Sequence, residues 1–388
     1  MTDASSATFF SPCPRGLESI LAEELADLST QDIEQYSGGV KYSGPFELCY
    51  HVNLKSRIAS RVLWQIGYNS YRNEQDIYQA ALDLPWPTWF SPKHRIKICV
   101  SAQHCPLPSL KYLTLRIKDA VCDHFRRGKG IRPSVDTQAP DVTIYVFFDS
   151  STVTFYLDTS GVPLFKRGFR LATGPTPIRE NLAAGILRLV RWSPDRVLLD
   201  PMCGSGTFLL EAALMAANQA PGLGRRFAFE KLRQFNPLVW KSVCHQSRTH
   251  RRSIPPSTLF GYDLDDASLR TARLNLEAAG FDDSVRLEQA DILDVRPPSS
   301  QGLLVTNPPY GRRTGNNDTL AAWYPKLGDS LKQHFTGWDT FFLSADARFP
   351  KLLGLAPKRK TPLFNGALEC RLLEYPIVEG TMRSKKIV

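Results

Sequence analysis

The feature that constrains this chain most is the segment 198–208, in which a short apolar strand ends at an acid and is followed by a glycine loop and the start of a helix. Ligands of open α/β sheets bind at the carboxyl ends of strands, and glycine lets the backbone approach a ligand closely. We therefore predict that Asp200 faces a cationic amino group and that the backbone of Gly204 and Gly206 passes beneath the ligand. No Lys follows the glycines, which excludes a nucleotide phosphate loop, whereas a purely structural glycine turn stays open.

Two further strand-like segments also end in acidic residues. Asp263 follows the apolar segment 259–262, in the position from which an acid accepts hydrogen bonds from ribose hydroxyls. Asp291 follows the segment 285–288 and is predicted to accept from an adenine amine, with a simple helix cap as the alternative. Because these acids end strands of one predicted sheet, they are expected to share a ligand site with Asp200.

A fourth strand, 303–306, is followed by the sequence Asn307-Pro308-Pro309-Tyr310-Gly311. Each Pro fixes φ and lacks a donor, so the loop is predicted to be rigid and exposed. Amide and backbone carbonyls in such a loop can accept hydrogen bonds from the N–H groups of an exocyclic amine and so aim its lone pair at a sulfonium methyl. Tyr310 is predicted to stack on an extruded base. A Pro-Pro turn without chemistry is the alternative.

The chain from Arg179 onward has the alternating pattern of an α/β domain. Apolar strands are predicted at 197–199, 259–262, 285–288 and 303–306, with a crossover helix at 267–280. This alternation predicts a doubly wound sheet. We divide the chain into an N-terminal subdomain (1–66), a second small domain (67–160), a basic linker (161–178) and the α/β domain (179–388).

The two front domains have the patterns of small α+β units. Apolar residues at helical spacing from Leu17 to Leu28 predict an amphipathic helix, which is followed by predicted strands near 40–42 and 46–49. The second domain is predicted to contain a strand at 96–100, a basic helix at 111–127 and strands at 143–148 and 152–157. This order fits an α+β RNA-binding fold better than a parallel sheet.

Charge indicates the class of partner. The 388 residues carry a net charge of +10, and a surplus of Lys and Arg suits a polyanion because each phosphate contact releases counterions. The eight cysteines are scattered and form no C-x-x-C pair, which predicts a reducing compartment and no metal site. We find no secretory signal and no apolar stretch of membrane-spanning length, so we expect a cytoplasmic protein with no membrane partner.

The motifs resemble those of the amino-methylating class of Rossmann-like methyltransferases. The resemblance lies in Asp200-Pro201-Met202-Cys203-Gly204-Ser205-Gly206-Thr207 together with Asn307-Pro308-Pro309-Tyr310-Gly311. Pro14-Arg15-Gly16-Leu17-Glu18 and Lys166-Arg167-Gly168-Phe169-Arg170 are similar to segments in the ferredoxin-like and THUMP domains of RNA-modifying enzymes. The segments 220–223 and 365–370 look like those of bacterial guanine-N2 methyltransferases of large-subunit ribosomal RNA, and the whole chain resembles the N-terminal half of a longer two-enzyme fusion.

The resemblance implies an α/β fold, with a Rossmann-like seven-stranded methyltransferase domain preceded by an α+β ferredoxin-like and THUMP module. It implies S-adenosylmethionine as the cofactor. The implied substrate is the exocyclic N2 amine of a guanine in large-subunit (23S) ribosomal RNA, free or in a precursor particle. The implied catalytic residues are Asn307, Pro308, Pro309 and Tyr310. The implied cofactor-binding residues are Asn181 (in a helix that begins near 177), Asp200, Pro201, Met202, Cys203, Gly204, Ser205, Gly206, Thr207, Asp263, Leu264, Asp291, Ile292 and Asn307.

Basic residues near these motifs are candidates for contacts with RNA phosphates. We predict such contacts from Lys166, Arg167, Arg170, Arg312 and Arg313, and further basic residues cluster at 225–252 and 358–360. For any one of them a solvated surface is an equally good interpretation. The protein is expected to act as a monomer without a metal. Three other functions stay open: tRNA guanine-N2 methylation, adenine-N6 methylation of RNA or DNA, and a non-catalytic RNA-binding assembly factor.

Overall fold

The structure is a computed structural model that describes residues 6–171, 178–309 and 317–379. The chain divides into two compact units, and each unit combines segments that are far apart in the sequence. Unit 1 contains Met1–Cys13, Ala22–Leu164 and Gly222–Gln246. Unit 2 contains Pro14–Leu21, Phe165–Pro221 and Ser247–Val388.

The first half of unit 1 follows the order strand, helix, two strands, helix, strand. Its elements are β1 (Ala7–Pro12), α1 (Glu18–Ala26, whose first residues belong to unit 2), β2 (Gln31–Tyr36), β3 (Gly39–Gly44), α2 (Leu48–Lys55) and β4 (Leu63–Ser70). The predicted strand at 40–42 is confirmed within β3, whereas the predicted strand at 46–49 is wrong because α2 begins at Leu48. Six of the eight residues of α2 are buried, so the sequence shows an apolar run without the polar face that marks a helix.

The second half of unit 1 continues the same sheet. Its elements are α3 (Glu74–Asp83), β5 (Ile96–Ala102), α4 (Leu110–Lys129), β6 (Val142–Phe148) and β7 (Thr152–Asp158), with a short 3-10 helix at Trp86–Thr88. The predicted basic helix and the three predicted strands of this region are confirmed. The seven strands are ordered β2-β3-β1-β4-β7-β6-β5, and only β5 and β6 pair in parallel. Unit 1 is therefore one continuous α+β sheet rather than two separate sheets.

Unit 2 alternates strands and helices along the chain. The elements from the linker onward are α5 (Glu180–Leu189), β8 (Leu198–Asp200), α6 (Thr207–Ala216), α7 (Pro237–Thr249, which starts in unit 1), β9 (Leu259–Asp263), α8 (Asp266–Ala279), β10 (Arg286–Gln289), β11 (Gly302–Thr306), α9 (Asn317–His334), β12 (Trp338–Ser344), α10 (Phe349–Leu352), β13 (Arg359–Asn365) and β14 (Leu368–Pro376). Short 3-10 helices lie at Ala228–Lys231, which belongs to unit 1, and at Asp282–Ser284 in unit 2. Within the described ranges, none of the helices is both long enough and apolar enough to cross a bilayer.

The sheet of unit 2 has the order β10-β9-β8-β11-β12-β14-β13. The first five strands are parallel, and β14 pairs antiparallel with β12 and β13. From β8 the chain builds outward through β9 and β10 on one side, and then through β11 and β12 on the other. The boundary between β8 and β11 is thus a topological switch point, where ligands of doubly wound sheets bind. The predicted seven-stranded Rossmann-like domain is confirmed.

The sheet of unit 2 is held by a large apolar core on the side of α9 and α10. Leu199 and Leu304 from the two central strands pack in one cluster with Tyr324 of α9 and Phe349 of α10. Tyr324 and Phe349 meet edge to face, with ring centroids 4.8 Å apart. The switch-point strands are therefore anchored by buried apolar side chains, and their carboxyl ends are held in fixed positions.

Gly328 of α9 provides a test of this packing. A Cβ at that position would overlap the carbonyl oxygen of Leu353, whereas a Cβ at Gly128, near the end of α4, would meet nothing within 4 Å. We expect Gly328→Ala to lower the free energy of unfolding by about 1–3 kcal/mol because the backbone must shift. Gly128→Ala should be neutral or raise it by up to about 1 kcal/mol, because Ala is the better helix former. Urea unfolding compares the two variants, and an unchanged midpoint for Gly328→Ala would contradict the packing.

Candidate active site at the carboxyl ends of the parallel strands

Asp200 lies at the centre of the switch point, as the last residue of β8. Its side chain is 2% exposed, and its Oδ1 accepts hydrogen bonds from the Thr306 hydroxyl at 2.7 Å and from the Met202 amide at 3.3 Å. Among the described residues neither bond uses Oδ2, which is left for a further donor. Burial, with a smaller contribution from the charge of Asp263, raises the pKa of Asp200 to about 7. A cationic partner would stabilise the ionised form of this carboxyl.

The glycine loop turns directly over this carboxylate. Gly204 and Gly206 have φ angles of +53° and +77°, which L side chains rarely adopt. The Gly204 amide donates to Asp263 Oδ2 at 2.8 Å, so the loop after β8 is tied to the end of β9. A Cβ on Gly204 would meet nothing within 4 Å, whereas one on Gly206 would lie 3.1 Å from the Ala272 Cβ of α8. The loop is thus packed on α8 at Gly206 and open at Gly204.

The other loop residues named in the sequence analysis differ in exposure. Met202 is half-buried, whereas the remaining four, Pro201, Cys203, Ser205 and Thr207, are buried. Burial raises the pKa of the Cys203 thiol well above its usual range, which makes it a neutral packing residue. Thr207 is the first residue of α6, and Gly206 precedes it as the helix cap.

The ends of β9 and β10 supply the next predicted residues. Asp263 Oδ1 accepts from the Asp265 amide at 3.0 Å, and the adjacent Leu264 is 68% exposed, which suits contact with a flat apolar ring. Asp291 is half-buried, and its Oδ1 caps the following turn by accepting from the Leu293 amide at 3.0 Å. The side chain of Ile292 is 3% exposed and packs in the core, so only its backbone is available to a ligand.

Asn307 follows β11 and carries the most informative atom of the site. Its Oδ1 is buried and has no hydrogen-bond partner within the described part of the chain. A buried acceptor without a donor costs about 1–3 kcal/mol, so this atom at the switch point is a candidate acceptor for a ligand. Pro308 is buried and Pro309 is exposed. The predicted residues Tyr310, Arg312 and Arg313 lie outside the described residues.

A polar network supports the glycine loop from the linker side. Arg170 is 14% exposed and donates to the Ser205 hydroxyl at 3.2 Å, to Glu180 Oε1 at 3.3 Å and to the Ile178 carbonyl at 3.0 Å. Asn275 of α8 donates to the Ser205 carbonyl at 3.0 Å and accepts from the Leu171 amide at 2.9 Å. We predicted Arg170 as a phosphate contact, but these bonds hold its guanidinium against the glycine loop instead.

Arg167 requires a clearer correction. We predicted an RNA contact, but the side chain is 2% exposed and its Nε donates to Glu211 Oε1 of α6 at 3.0 Å. A buried guanidinium engaged with a buried carboxylate is not accessible to a phosphate. The neighbouring Lys166 is exposed, in agreement with the surface position that an RNA contact needs. Asn181 is 1% exposed on α5, so its predicted role requires a ligand that reaches into the site.

Two residues of the site were not assigned these roles from the sequence. Thr306 was assigned only to the end of a strand, although its hydroxyl holds Asp200. Asn275 was not singled out, although it is 1% exposed and lies on the apolar face of α8 with Leu269, Ala272 and Leu276. A lone amide on an otherwise apolar helix face is the available signal, because a buried amide needs hydrogen-bond partners.

The fold and this constellation define a Rossmann-like methyltransferase. Residues 167–374 match the family described as the RMKL-like methyltransferase domain, residues 71–158 match the THUMP domain, and residues 8–63 match the RlmL ferredoxin-like domain. Because the first match covers more than half of the chain, this protein belongs to the RMKL-like methyltransferase family and carries a THUMP domain.

Individual relatives agree with the family. A protein of Synechocystis sp. that is named as an RNA methyltransferase is 34% identical over 97% of this chain and 99% of its own length. The ribosomal RNA large subunit methyltransferase K/L of Syntrophotalea carbinolica is 37% identical over 96% of this chain, which spans 54% of that protein. The structure of SMU.472, described as a methyltransferase complexed with SAH, has 26% identity and a TM-score of 0.88, and the match covers 97% of this chain and 99% of that one.

The buried ion pair of Arg167 and Glu211 predicts that replacing Arg167 lowers the free energy of unfolding much more than replacing its exposed neighbour Lys166. We expect Arg167→Met to lower the free energy of unfolding by about 3–5 kcal/mol, because Glu211 is left as an unpaired buried charge. The matched control is Lys166→Met at the exposed neighbouring position, which should change it by less than about 0.5 kcal/mol. Chemical denaturation measures both variants. Equal denaturation midpoints for the two variants would contradict the burial of Arg167 and its pairing with Glu211.

Proposed function

We propose that this chain transfers a methyl group from S-adenosylmethionine to the exocyclic N2 amine of a guanine in large-subunit (23S) ribosomal RNA. The observation that carries the proposal is the buried Asn307 Oδ1, which has no partner among the described residues and lies one residue beyond Thr306, the partner of Asp200. The methyltransferase family and the SAH-bound structural relative indicate S-adenosylmethionine as the cofactor.

The residues present fit this cofactor. Asp200 is a buried carboxylate whose Oδ2 is suited to a cationic amino group, and the open space above Gly204 admits a ligand against the backbone. Asp263 is suited to ribose hydroxyls, and the exposed Leu264 is suited to a face of the adenine. Asp291 is the candidate acceptor for the adenine amine. When bound, the cofactor supplies a methyl group on a positively charged sulfur, which a neutral amine can attack.

The chain's own contribution is to hold and orient the amine. Asn307 Oδ1 and the Pro308 carbonyl accept hydrogen bonds from the two N–H groups of the amine, which directs the nitrogen lone pair. The nitrogen becomes positively charged when it gains the methyl group, and it then releases one proton to solvent. The prolines restrict φ and so keep these acceptors in place. Tyr310 is proposed to stack on the extruded base. Because extruding a base costs a few kcal/mol, a looped or partly unfolded RNA is the preferred substrate.

Support for ribosomal RNA as the substrate comes from several independent features. The Syntrophotalea relative is named for the large ribosomal subunit, and the THUMP match accompanies a net charge of +10. The choice of guanine N2 rests on the resemblance of segments 220–223 and 365–370, because the Asn-Pro-Pro-Tyr loop also serves adenine methylation.

The function is tested by methyl transfer from labelled cofactor to a large-subunit ribosomal RNA transcript that lacks modifications, followed by nucleoside analysis. Label in N2-methylguanosine is the expected result. Label in N6-methyladenosine would support amine methylation at the Asn-Pro-Pro-Tyr loop but would contradict guanine as the target base. Absence of label from the transcript and from precursor particles alike, with cofactor still bound, would favour an RNA-binding assembly factor.

Asn307→Ala tests the orienting role of the amide. We expect kcat to fall by about 10²–10³-fold, because an acceptor aimed at the reacting amine is lost, while cofactor binding persists. The matched control is Gln301→Ala, which removes an exposed amide side chain just before β11, at the opposite end of that strand. Labelled methyl transfer and calorimetric cofactor titration measure the two effects. Equal activity in Asn307→Ala and wild type would contradict the orienting role of the Asn307 amide.

Asp200→Asn tests the carboxylate that is proposed to meet the amino group. The ionised carboxylate binds a cation, and it is lost as the pH falls through the raised pKa of Asp200 near 7. Wild-type affinity for the cofactor is therefore expected to rise about tenfold between pH 6 and pH 7.5. Asp200→Asn should bind more weakly at pH 7.5 and lose this dependence. A pH profile that is the same in both proteins contradicts the contact.

A further inference from the structure

One segment within the methyltransferase family match belongs to unit 1 and not to unit 2, which contains the methyltransferase sheet. Residues 222–246, here called the arm, lie between α6 and β9 in the sequence but belong to unit 1. Backbone hydrogen bonds attach the arm at three points: Gly222 to the Leu54 carbonyl at 2.9 Å, Phe229 to Thr159 at 3.0 Å, and Arg233 to Trp89 at 2.9 Å. A Cβ on Gly222 would lie 2.7 Å from the Asn53 carbonyl, so the first contact leaves no space for a side chain.

An aromatic cluster fixes the arm around Tyr50 of α2. The Tyr50 ring lies 4.7 Å from Phe229, 5.9 Å from Phe235 and 6.0 Å from Trp240, measured between centroids. The Tyr50 hydroxyl accepts from the Asn236 amide at 2.8 Å, which satisfies its polar end. Buried aromatic contacts of this kind order a segment, so the outward side chains of the arm project from a fixed base.

The charged residues of the arm divide into two groups. Arg225 donates to the carbonyls of Val162 and Leu164, and Lys231 pairs with Asp141 at 2.7 Å. Glu230, the one acid in the arm, accepts from the Phe227 amide at 2.7 Å. The remaining cations, Arg226, Arg233 and Lys241, are exposed, and their side chains have no partner in the part of the chain that the structure describes.

We propose that the arm is a phosphate-binding surface that extends unit 1 along the RNA substrate. This inference rests on the proposed function, since it assigns a binding surface to the same substrate. The three exposed cations are spread along an ordered segment whose single acid, Glu230, is half-buried and accepts from the Phe227 amide. This arrangement suits a backbone with regularly repeated negative charge. Leu238 is 79% exposed and is the arm's only large apolar side chain that is exposed, which is too little for an apolar protein interface.

The test removes the three cations together in Arg226→Gln/Arg233→Gln/Lys241→Gln. The matched control is Arg270→Gln/Arg286→Gln/Lys332→Gln, which removes two Arg and one Lys that are exposed but paired with Asp266, Glu288 and Asp329. Both triple variants lose the same net charge. Binding is measured against salt concentration with two probes, a large-subunit ribosomal RNA transcript and an unrelated transcript of equal length. Cofactor affinity is measured in parallel.

The arm variant is expected to bind both RNAs roughly 10–100-fold more weakly at moderate salt, and the slope of log K against log salt should fall by about 2–3. The control should change the slope by less than one, and cofactor affinity should stay at the wild-type value in both. Equal slopes for the arm variant and the control would overturn the surface. The proposal would also be overturned if Leu238→Ser weakened RNA binding while the charge changes did not. That result would indicate that the arm acts through an apolar contact.

These outcomes separate the surface from the function. Phosphate contacts do not depend on sequence, so the slope change is expected with either RNA even if the wild-type chain methylates neither transcript. In that case the methylation proposal fails and the surface stands. If the wild type methylates the ribosomal transcript and the arm variant does so with an unchanged KM for RNA, the surface fails and the function stands.

Discussion

The hydrogen bond from Thr306 to Asp200 is the interaction on which the rest of the active site depends. It joins the ends of β8 and β11, the two strands on either side of the topological switch point. Because Asp200 is buried, loss of this donor leaves its Oδ1 with only the 3.3 Å bond from the Met202 amide, in a site shielded from water. This bond therefore partly offsets the rise in the pKa of Asp200 that burial causes, and it fixes the position at which the Asn307 loop begins.

Helix α8 adds a second constraint on the same loop. Ala272 packs against Gly206, and Asn275 holds the carbonyl of Ser205, so one helix fixes two consecutive residues of the turn. Arg170 and Leu171 reach the same two residues, Ser205 and Asn275, from the linker. The glycine loop is thus held at Ser205 and Gly206 by side chains of α8 and the linker, and it stays open at Gly204. This arrangement is what preorganisation of a ligand site requires, since the loop does not have to be ordered when the ligand binds.

The sequence predicted the strand ends well because polar residues at the end of an apolar run are a local signal. Asp200, Asp263 and Asn307 were placed correctly at the ends of β8, β9 and β11 for this reason. The charge of Arg167 was visible in the sequence, but its burial depends on Glu211, which lies 44 residues away. The helix at 48–55 was missed because its buried face extends nearly all round. The membership of the arm in unit 1 had no local signal, since it depends on contacts with Tyr50 and Thr159.

The interleaving of the two units along the chain has a consequence for protein synthesis. Unit 1 needs residues 222–246, and unit 2 includes residues 14–21, so neither unit is one continuous stretch of polypeptide. Domains of many proteins fold one after another as they leave the ribosome, the N-terminal one first. Here the first unit stays incomplete until residue 246 has emerged, by which time the glycine loop and α6 have already been translated. When residue 246 emerges, all seven strands of the unit 1 sheet have been translated, but of the unit 2 sheet only β8 has, so the two units cannot fold strictly one after the other as contiguous domains can.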